Sequence, residues 1–501
     1  MMAGGLAVAA CAAPAVSPVP ATAVAVKRGT LTWGMSLEVV NLEPWGRTGA
    51  TNLITYRGLY DGLTTRDTEY RLAAGLAESW TLLNDTTWQF KLRPGVKFHN
   101  GDPLTAEDVK FSIEASRDPA QKTIFATSFA TIDRIDIIDP LTVNLVTKAP
   151  DGVLPGKLSM YPGYVIPQKY FLKVGYDAFN REPIGSGPYK YKSRTPGVRL
   201  ELEANRSYWG TPPNADGIVM LPRPELAGRI AALKTAEVNI IDSVTYDQFD
   251  DIDKGPATQI VRGRTAAQDT VFINATVPML NNKLVRQALS LSIDRPGLNK
   301  ALYRGSQRIA TGPVMPFEFA FDASLPPFPF DPNRAKALLQ QAGYGNEKIV
   351  FEYIVLGANN LEQALAEGWK SIGLNIQLAP LDAATRANKL AQKTFAGIFT
   401  GTFVSLYADP DSVIWRTLQP GGSLRYWTNP EFDRLGAEAA ASVRQELRKT
   451  NYQRMIAIMI DEMPWLSLWD TPILFGAARN LDFQPGFAYT GEFGADRLKF
   501  R

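Results

Sequence analysis

The hydrophobic period changes at Gly373, and that change constrains the fold more than any other feature of the chain. Before it, Leu361, Leu365, Trp369 and Ile372 recur at helical spacing; after it, Leu374, Ile376 and Leu378 alternate as in a half-buried strand. A helix that delivers its chain into a strand, with glycine as the stop, belongs to a mixed α/β architecture. The same punctuation recurs elsewhere. Asp331-Pro332 predicts an N-cap with proline in the first helical turn, Leu338, Leu339 and Ala342 facing inward, and Gly343 as the stop. Asn429-Pro430 predicts a second start of this kind, Leu284, Val285, Ala288 and Leu289 have helical spacing, and Asp294 restarts a helix. Residues 30–33 form a first short strand. In 87–93, Trp88, Phe90 and Leu92 face one way and Gln89 and Lys91 the other. Turn pairs Pro94-Gly95 and Asn100-Gly101 follow, then Thr105 and Asp108 open a helix with Val109 and Ile113 inward. Asp139-Pro140 divides the β-rich runs 132–138 and 141–147 into a hairpin.

Composition limits what such a body can do. At 501 residues the chain is long enough for about three domains or lobes. Lys plus Arg number 53 against 50 Asp plus Glu, a formal charge of +3, so there is no basic surplus to neutralise a nucleic acid. One His and one Cys exclude a zinc site built from imidazoles and thiolates, and a lone Cys excludes an internal disulfide. That cysteine, Cys11, ends an apolar run, and Val8-Ala9-Ala10-Cys11 resembles a bacterial lipobox, which makes Cys11 the expected lipidation site. No Lys or Arg precedes the run, so a start further upstream is expected. Residues 12–26 are rich in Pro and Ala and read as a tether. No later segment has the 18 or more apolar residues of a membrane span.

The run AESWTLLNDTTWQFKLRPGVKFHNGDPLTAEDVKFS, from Ala77 to Ser112, carries a more specific message. PIGSGPYKY from Pro183, NRSYWG from Asn205 and VRQALSLSIDRPGLNKALYRG from Val285 follow it in order. DPNRAKALLQQAGY from Asp331, YADPD from Tyr407 and YWTNPEFDRL from Tyr426 complete the set. Together they resemble the extracytoplasmic solute-binding proteins of ABC importers, in the dipeptide, oligopeptide and nickel class. The resemblance implies an α/β two-lobed clamp of the periplasmic-binding-protein kind, with an additional third domain and discontinuous lobes joined by a hinge. Lobe I would take residues 28–68, 184–262 and 470–501, the additional domain 69–183, and lobe III 263–469, after a leader and tether over 1–27. A small-molecule ligand would lie between lobes I and III, and the closed form would dock on ABC permease and ATPase subunits. The protein is then expected to be a monomer outside the cytoplasm, in the periplasm or on the outer face of the cytoplasmic membrane, with only a lipid touching the membrane.

Such a cycle contains no chemistry, so no catalytic residue, metal or cofactor is expected. His99, in VKFHNG, reads as a turn histidine, and no G-x-S-x-G elbow accompanies it. Gly185-Ser186-Gly187 is followed at once by Pro188 and reads as a turn rather than a phosphate loop. Asp250-Asp251 and Asp409 with Asp411 lack the spacing of a metal loop. A nickel ion would want imidazoles, which leaves only a metal already held by its own chelator. The hydrolase alternative therefore lacks its nucleophile and base. By family position the ligand-facing candidates are Met35, Ser36, Trp45, Tyr161, Tyr246, Phe403, Leu406, Tyr407 and Asp409, with Trp33 and Tyr164 in neighbouring segments. Peptide-binding relatives carry an Asp two residues before the position of Ala408, where it pairs with the peptide α-ammonium; here it is Leu406. A buried ammonium without a partner is costly. The expected ligand is thus a non-peptide solute (an opine, oligosaccharide, small organic acid or amide, or metal chelate), with a di- or oligopeptide as the alternative.

Overall fold

The computed structural model describes residues 29–45, 53–121, 126–355, 360–485 and 498–500. Cys11 and the tether lie outside the described residues. Two large sheets organise the rest. One has seven strands in the order Thr258–Gly263, Ile473–Ala478, Ile240–Ile241, Thr30–Met35, Gly217–Pro222, Arg199–Ala204 and Tyr189–Thr195. The other has six, in the order Arg308–Ile309, Trp465–Asp470, Ala267–Ile273, Ile398–Val404, Lys348–Ile354 and Asn375–Leu381. A separate antiparallel sheet holds Ala77–Asn84, Thr87–Leu92, Thr142–Thr147 and Ile132–Asp139, with the helix Ala106–Arg117 against it. Each sheet has its own apolar core, as distinct layers require.

Local chemistry explains the element boundaries. The Asp331 carboxylate accepts the Arg334 amide at 2.9 Å to open the helix Pro332–Gln341, and Asn429 accepts the Phe432 amide at 3.0 Å to open Pro430–Ala440. The Asp108 carboxylate takes the Thr105 amide at 2.9 Å and the Gln168 amide at 3.0 Å, so one acid starts a helix and anchors the chain beside it. At Gly373 the backbone turns left-handed, with φ 99°, between the helix Asn360–Ser371 and the strand Asn375–Leu381.

The chain passes from the seven-stranded sheet to the six-stranded one between Gly263 and Ala267, and returns between Asp470 and Ile473. The two passages lie side by side. The Thr471 amide donates to the Ala267 carbonyl at 3.1 Å, and the Thr265 hydroxyl donates to the Thr471 carbonyl. Asp470 is held at this point by Gln268 Nε2 at 3.0 Å and Arg308 Nε at 2.6 Å.

The single histidine is structural. The Gly185 amide donates to His99 Nδ1 at 3.2 Å, so Nε2 carries the proton and donates to the Gly187 carbonyl at 3.0 Å. The glycines are required there, because a Cβ on Gly185 would stand 1.9 Å from the Leu59 carbonyl oxygen. Burial, with a smaller push from Lys190, brings His99 down to about 4. The folded protein therefore stays unprotonated at this site while the unfolded chain takes up a proton below about pH 6.5, and stability is lost as pH falls between those values. Urea unfolding at pH 7 and pH 5 is expected to show a pH-dependent loss that is about 1–2 kcal/mol smaller in His99→Gln. Equal losses in both proteins would refute the assignment.

Candidate functional site

The two large sheets enclose a cleft of about 960 Å³. From the seven-stranded side come Thr245, Tyr246 and Asp247; from the six-stranded side come Asp269, Tyr303, Glu362 and Arg386, among others. The strand Ile398–Val404 is its spine. Thr402 and Thr400, two residues apart and so on one face, donate to Asp269 Oδ1 at 2.6 Å and to Glu362 Oε1 at 3.1 Å. The Asp269 carboxyl also accepts Trp469 Nε1 at 3.1 Å. Gly401, facing the other way, gives Arg386 its seat: a Cβ there would come within 2.8 Å of the guanidinium. Among the described residues, Arg386 makes a long hydrogen bond of 3.4 Å to the Thr400 carbonyl.

The electrostatics of this cleft differ from those of the body. Burial pushes Asp269 up, and no cation among the described residues opposes it. Burial pushes Glu362 up as well, and the charge of Asp269 adds to the rise. Burial pushes Arg386 down, and no anion among the described residues offsets it. Several buried charges elsewhere are matched: Lys157 binds Asp151 at 2.5 Å, Lys389 binds Glu352 at 2.8 Å, and Arg286 binds Glu462 at 2.9 Å, whereas Arg295 is held by the Ser467 and Ser290 carbonyls.

At the cleft mouth the two halves touch. Tyr246 O–H and Ser306 Oγ are 2.7 Å apart, the Tyr246 ring meets the edge of Tyr303 at 5.2 Å, and Arg304 clasps Asp250 through two bonds of 2.9 and 3.0 Å. Asp250 is thus an ion-pair partner of the clasp.

Of the nine candidates read from family position, Tyr246 lines this cleft. Met35 ends its strand inside the core of the seven-stranded half, and Ser36 is tied to Asp242 at 2.8 Å and Ser243 at 3.1 Å. Trp45 is 0% exposed and packs edge-on against Phe171. Tyr161 is buried on Tyr56, and Phe403 is buried on Trp465. Trp33 is in the same core as Met35, beside Phe475, and Tyr164 stacks on Tyr60. Leu406 and Tyr407 reach from the six-stranded half to the core of the other half, where the Tyr407 carbonyl accepts Arg66 Nη2 at 2.6 Å. Tyr407 and Asp409 line a second pocket, of about 320 Å³, beside Trp80 and Trp88. Asp409 is held bidentate by Arg448 at 2.9 Å, so its charge is already neutralised inside the protein. Sequence reasoning passed over Asp269, Glu362 and Arg386. Glu362 left a signal, since it falls on the helical stripe of Leu365, Trp369 and Ile372, where a charge is out of place.

Residues 71–424 match the model of the bacterial extracellular solute-binding proteins, family 5. The chain belongs to that family. The glutathione-binding protein GsiB of Shigella dysenteriae is 26% identical over 468 residues, 88% of each chain. HbpA2 of Haemophilus parasuis superposes with a TM-score of 0.83 at 23% identity, covering 94% of this chain and 100% of its own. AgaA of A. tumefaciens, solved with agropinic acid, gives 0.75 at 23% identity over 94% and 99%. The architecture is therefore the two-lobed α/β clamp of family 5, and the protein is an extracytoplasmic solute-binding component of an ABC importer.

The Asp409–Arg448 pair sets the loop that carries Leu406 and Tyr407. Arg448→Met strands a buried carboxylate and is expected to cost about 3–5 kcal/mol in urea unfolding. Adding Asp409→Asn should recover most of that loss, since it removes the unmatched charge.

Proposed function

We propose that this family 5 protein captures a small organic solute bearing a carboxylate, an opine-like acid or amide conjugate rather than an ordinary α-peptide, and delivers it to its permease. The observation that carries the reading is Arg386, a half-buried guanidinium on the cleft wall that no acid among the described residues neutralises. A guanidinium in that state gains most from a planar carboxylate that can accept two of its N–H groups. Leu406 supports the second half of the reading. Its side chain packs against the lobe I core, so the loop offers no carboxylate to a peptide α-ammonium, and Asp409 is taken by Arg448. Two of the relatives fit this chemistry, one named for glutathione and another solved with agropinic acid, both of which carry carboxylates. The mechanism is closure of the lobes about the two chain passages, with the clasp of Arg304 and Asp250 and the contact of Tyr246 with Ser306 made in the closed arrangement. An exposed clasp of this kind contributes little alone, which lets ligand contacts decide the equilibrium. Cys11 would anchor the monomer by its lipid.

Calorimetry against a panel of small mono- and dicarboxylates tests the ligand class. Arg386→Gln is expected to weaken the best binder at least tenfold, whereas micromolar binding of ordinary dipeptides that survives Arg386→Gln would overturn the reading. Cys11→Ser should move the protein from the membrane fraction to the soluble one; unchanged partition would remove the anchor.

A further inference from the structure

The acids of the cleft are unexplained by a carboxylate ligand. Asp269 and Glu362 share one face of the strand Ile398–Val404, held by Thr402 and Thr400, while Arg386 reaches the same cleft from the strand's other face. Two like charges facing one open space repel each other, and among the described residues neither forms an ion pair. Fold stability alone does not call for that arrangement. Tyr303 lies within electrostatic reach of both acids, with Tyr246 edge-on to it at 5.2 Å, so tyrosine side chains line the cleft together with the carboxylates. Thr270, on the wall of the same cleft and 1% exposed, has a hydroxyl without a hydrogen-bond partner among the described residues. Paired carboxylates among tyrosine side chains are surroundings that a protonated nitrogen prefers, through charge pairing and charge-assisted hydrogen bonds.

We propose that Asp269 and Glu362, with Tyr303 and Tyr246, form a receptor for a protonated nitrogen of the ligand, which makes the transported solute a zwitterion bound across the end of the strand. The ammonium or guanidinium sits with the two acids, and the carboxylate sits with Arg386. The absent loop acid at Leu406 is thereby replaced by acids on a strand and a helix, and the cation is received at a different place in the cleft. This inference rests on the carboxylate reading of Arg386.

The test is calorimetry of the purified protein with four probes: glutathione, which carries an ammonium; N-acetylglutathione, which does not; octopine, which carries a guanidinium and a protonated secondary amine; and glutarate, which has carboxylates only. Glutathione or octopine is expected to bind at least tenfold more tightly than the two probes without a cation. The comparison between the two cationic probes shows whether a guanidinium added to an ammonium improves binding. The double variant Asp269→Asn/Glu362→Gln, with folding checked by its melting temperature, should lose tenfold or more for the cationic probe and bind all four probes about equally. Arg386→Gln should weaken glutarate and the cationic probes alike and leave the preference for a cation intact. Binding of N-acetylglutathione or glutarate as tight as that of the cationic probes, a double variant that keeps its preference, or no binding by any probe would overturn the proposal. A preference for the cationic probes that survives with Arg386→Gln having no effect would overturn the carboxylate reading alone.

Discussion

A charge removed from water must find a partner or give up its charge, and much of this molecule is arranged around that requirement. Asp151 meets Lys157, Asp409 meets Arg448, and Asp470 meets Arg308, each inside the protein or at the join of its halves. Glu318, buried with Ser405 and the Met315 amide as its hydrogen-bond partners, takes the other course: burial raises it to about 8, so it holds its proton at neutral pH. Against that background the cleft is conspicuous, because Asp269, Glu362 and Arg386 are partly desolvated there without ion partners among the described residues. Desolvated charge left unmatched in a cleft lowers the stability of the empty protein and raises the gain on binding a complementary solute.

The topology makes such a cleft possible. A chain that crosses between two sheets twice, along neighbouring paths, joins two rigid cores by a narrow connection. Thr265, Gln268, Thr471 and Asp470 tie the two passages to each other through short hydrogen bonds, so a rotation there carries each sheet as a unit. Beyond this join the halves meet through polar contacts at the cleft mouth and through the Leu406–Tyr407 loop seated on the opposite core. Binding energy from a solute held on both sides can therefore shift the balance between open and closed forms.

Much of the architecture is legible in one dimension because its causes are local. A cap is a side chain bonding to an amide three residues on, as at Asp331 and Asn429, and a stop is a glycine at positive φ, as at Gly343 and Gly373. Alternation in Thr87–Leu92 and the Asp139-Pro140 break gave the antiparallel sheet, whose strands adjoin in sequence or nearly so. The ordered blocks from Ala77 to Tyr426 were enough to indicate the family. His99 was readable as a turn residue, although its partners Gly185 and Gly187 lie far along the chain.

The candidate cleft was not legible in this way, since its members come together only when distant segments cross. Family position pointed to Met35, Trp45 and Phe403, but aromatic and sulfur side chains next to a cleft are also the natural filling of the cores that support it, and here they are buried. Asp409 reads in sequence as part of the family block YADPD, and only the approach of Arg448 from the helix Gln445–Glu462 shows which cation it pairs with. The sequence by itself determined where helices and strands begin and end, that a zinc site of imidazoles and thiolates and an internal disulfide are excluded, and which family the chain joins. The tertiary structure decided which charges are neutralised within the protein and which remain for a ligand, because a charge's state depends on neighbours in space, often more than a hundred residues away in the chain.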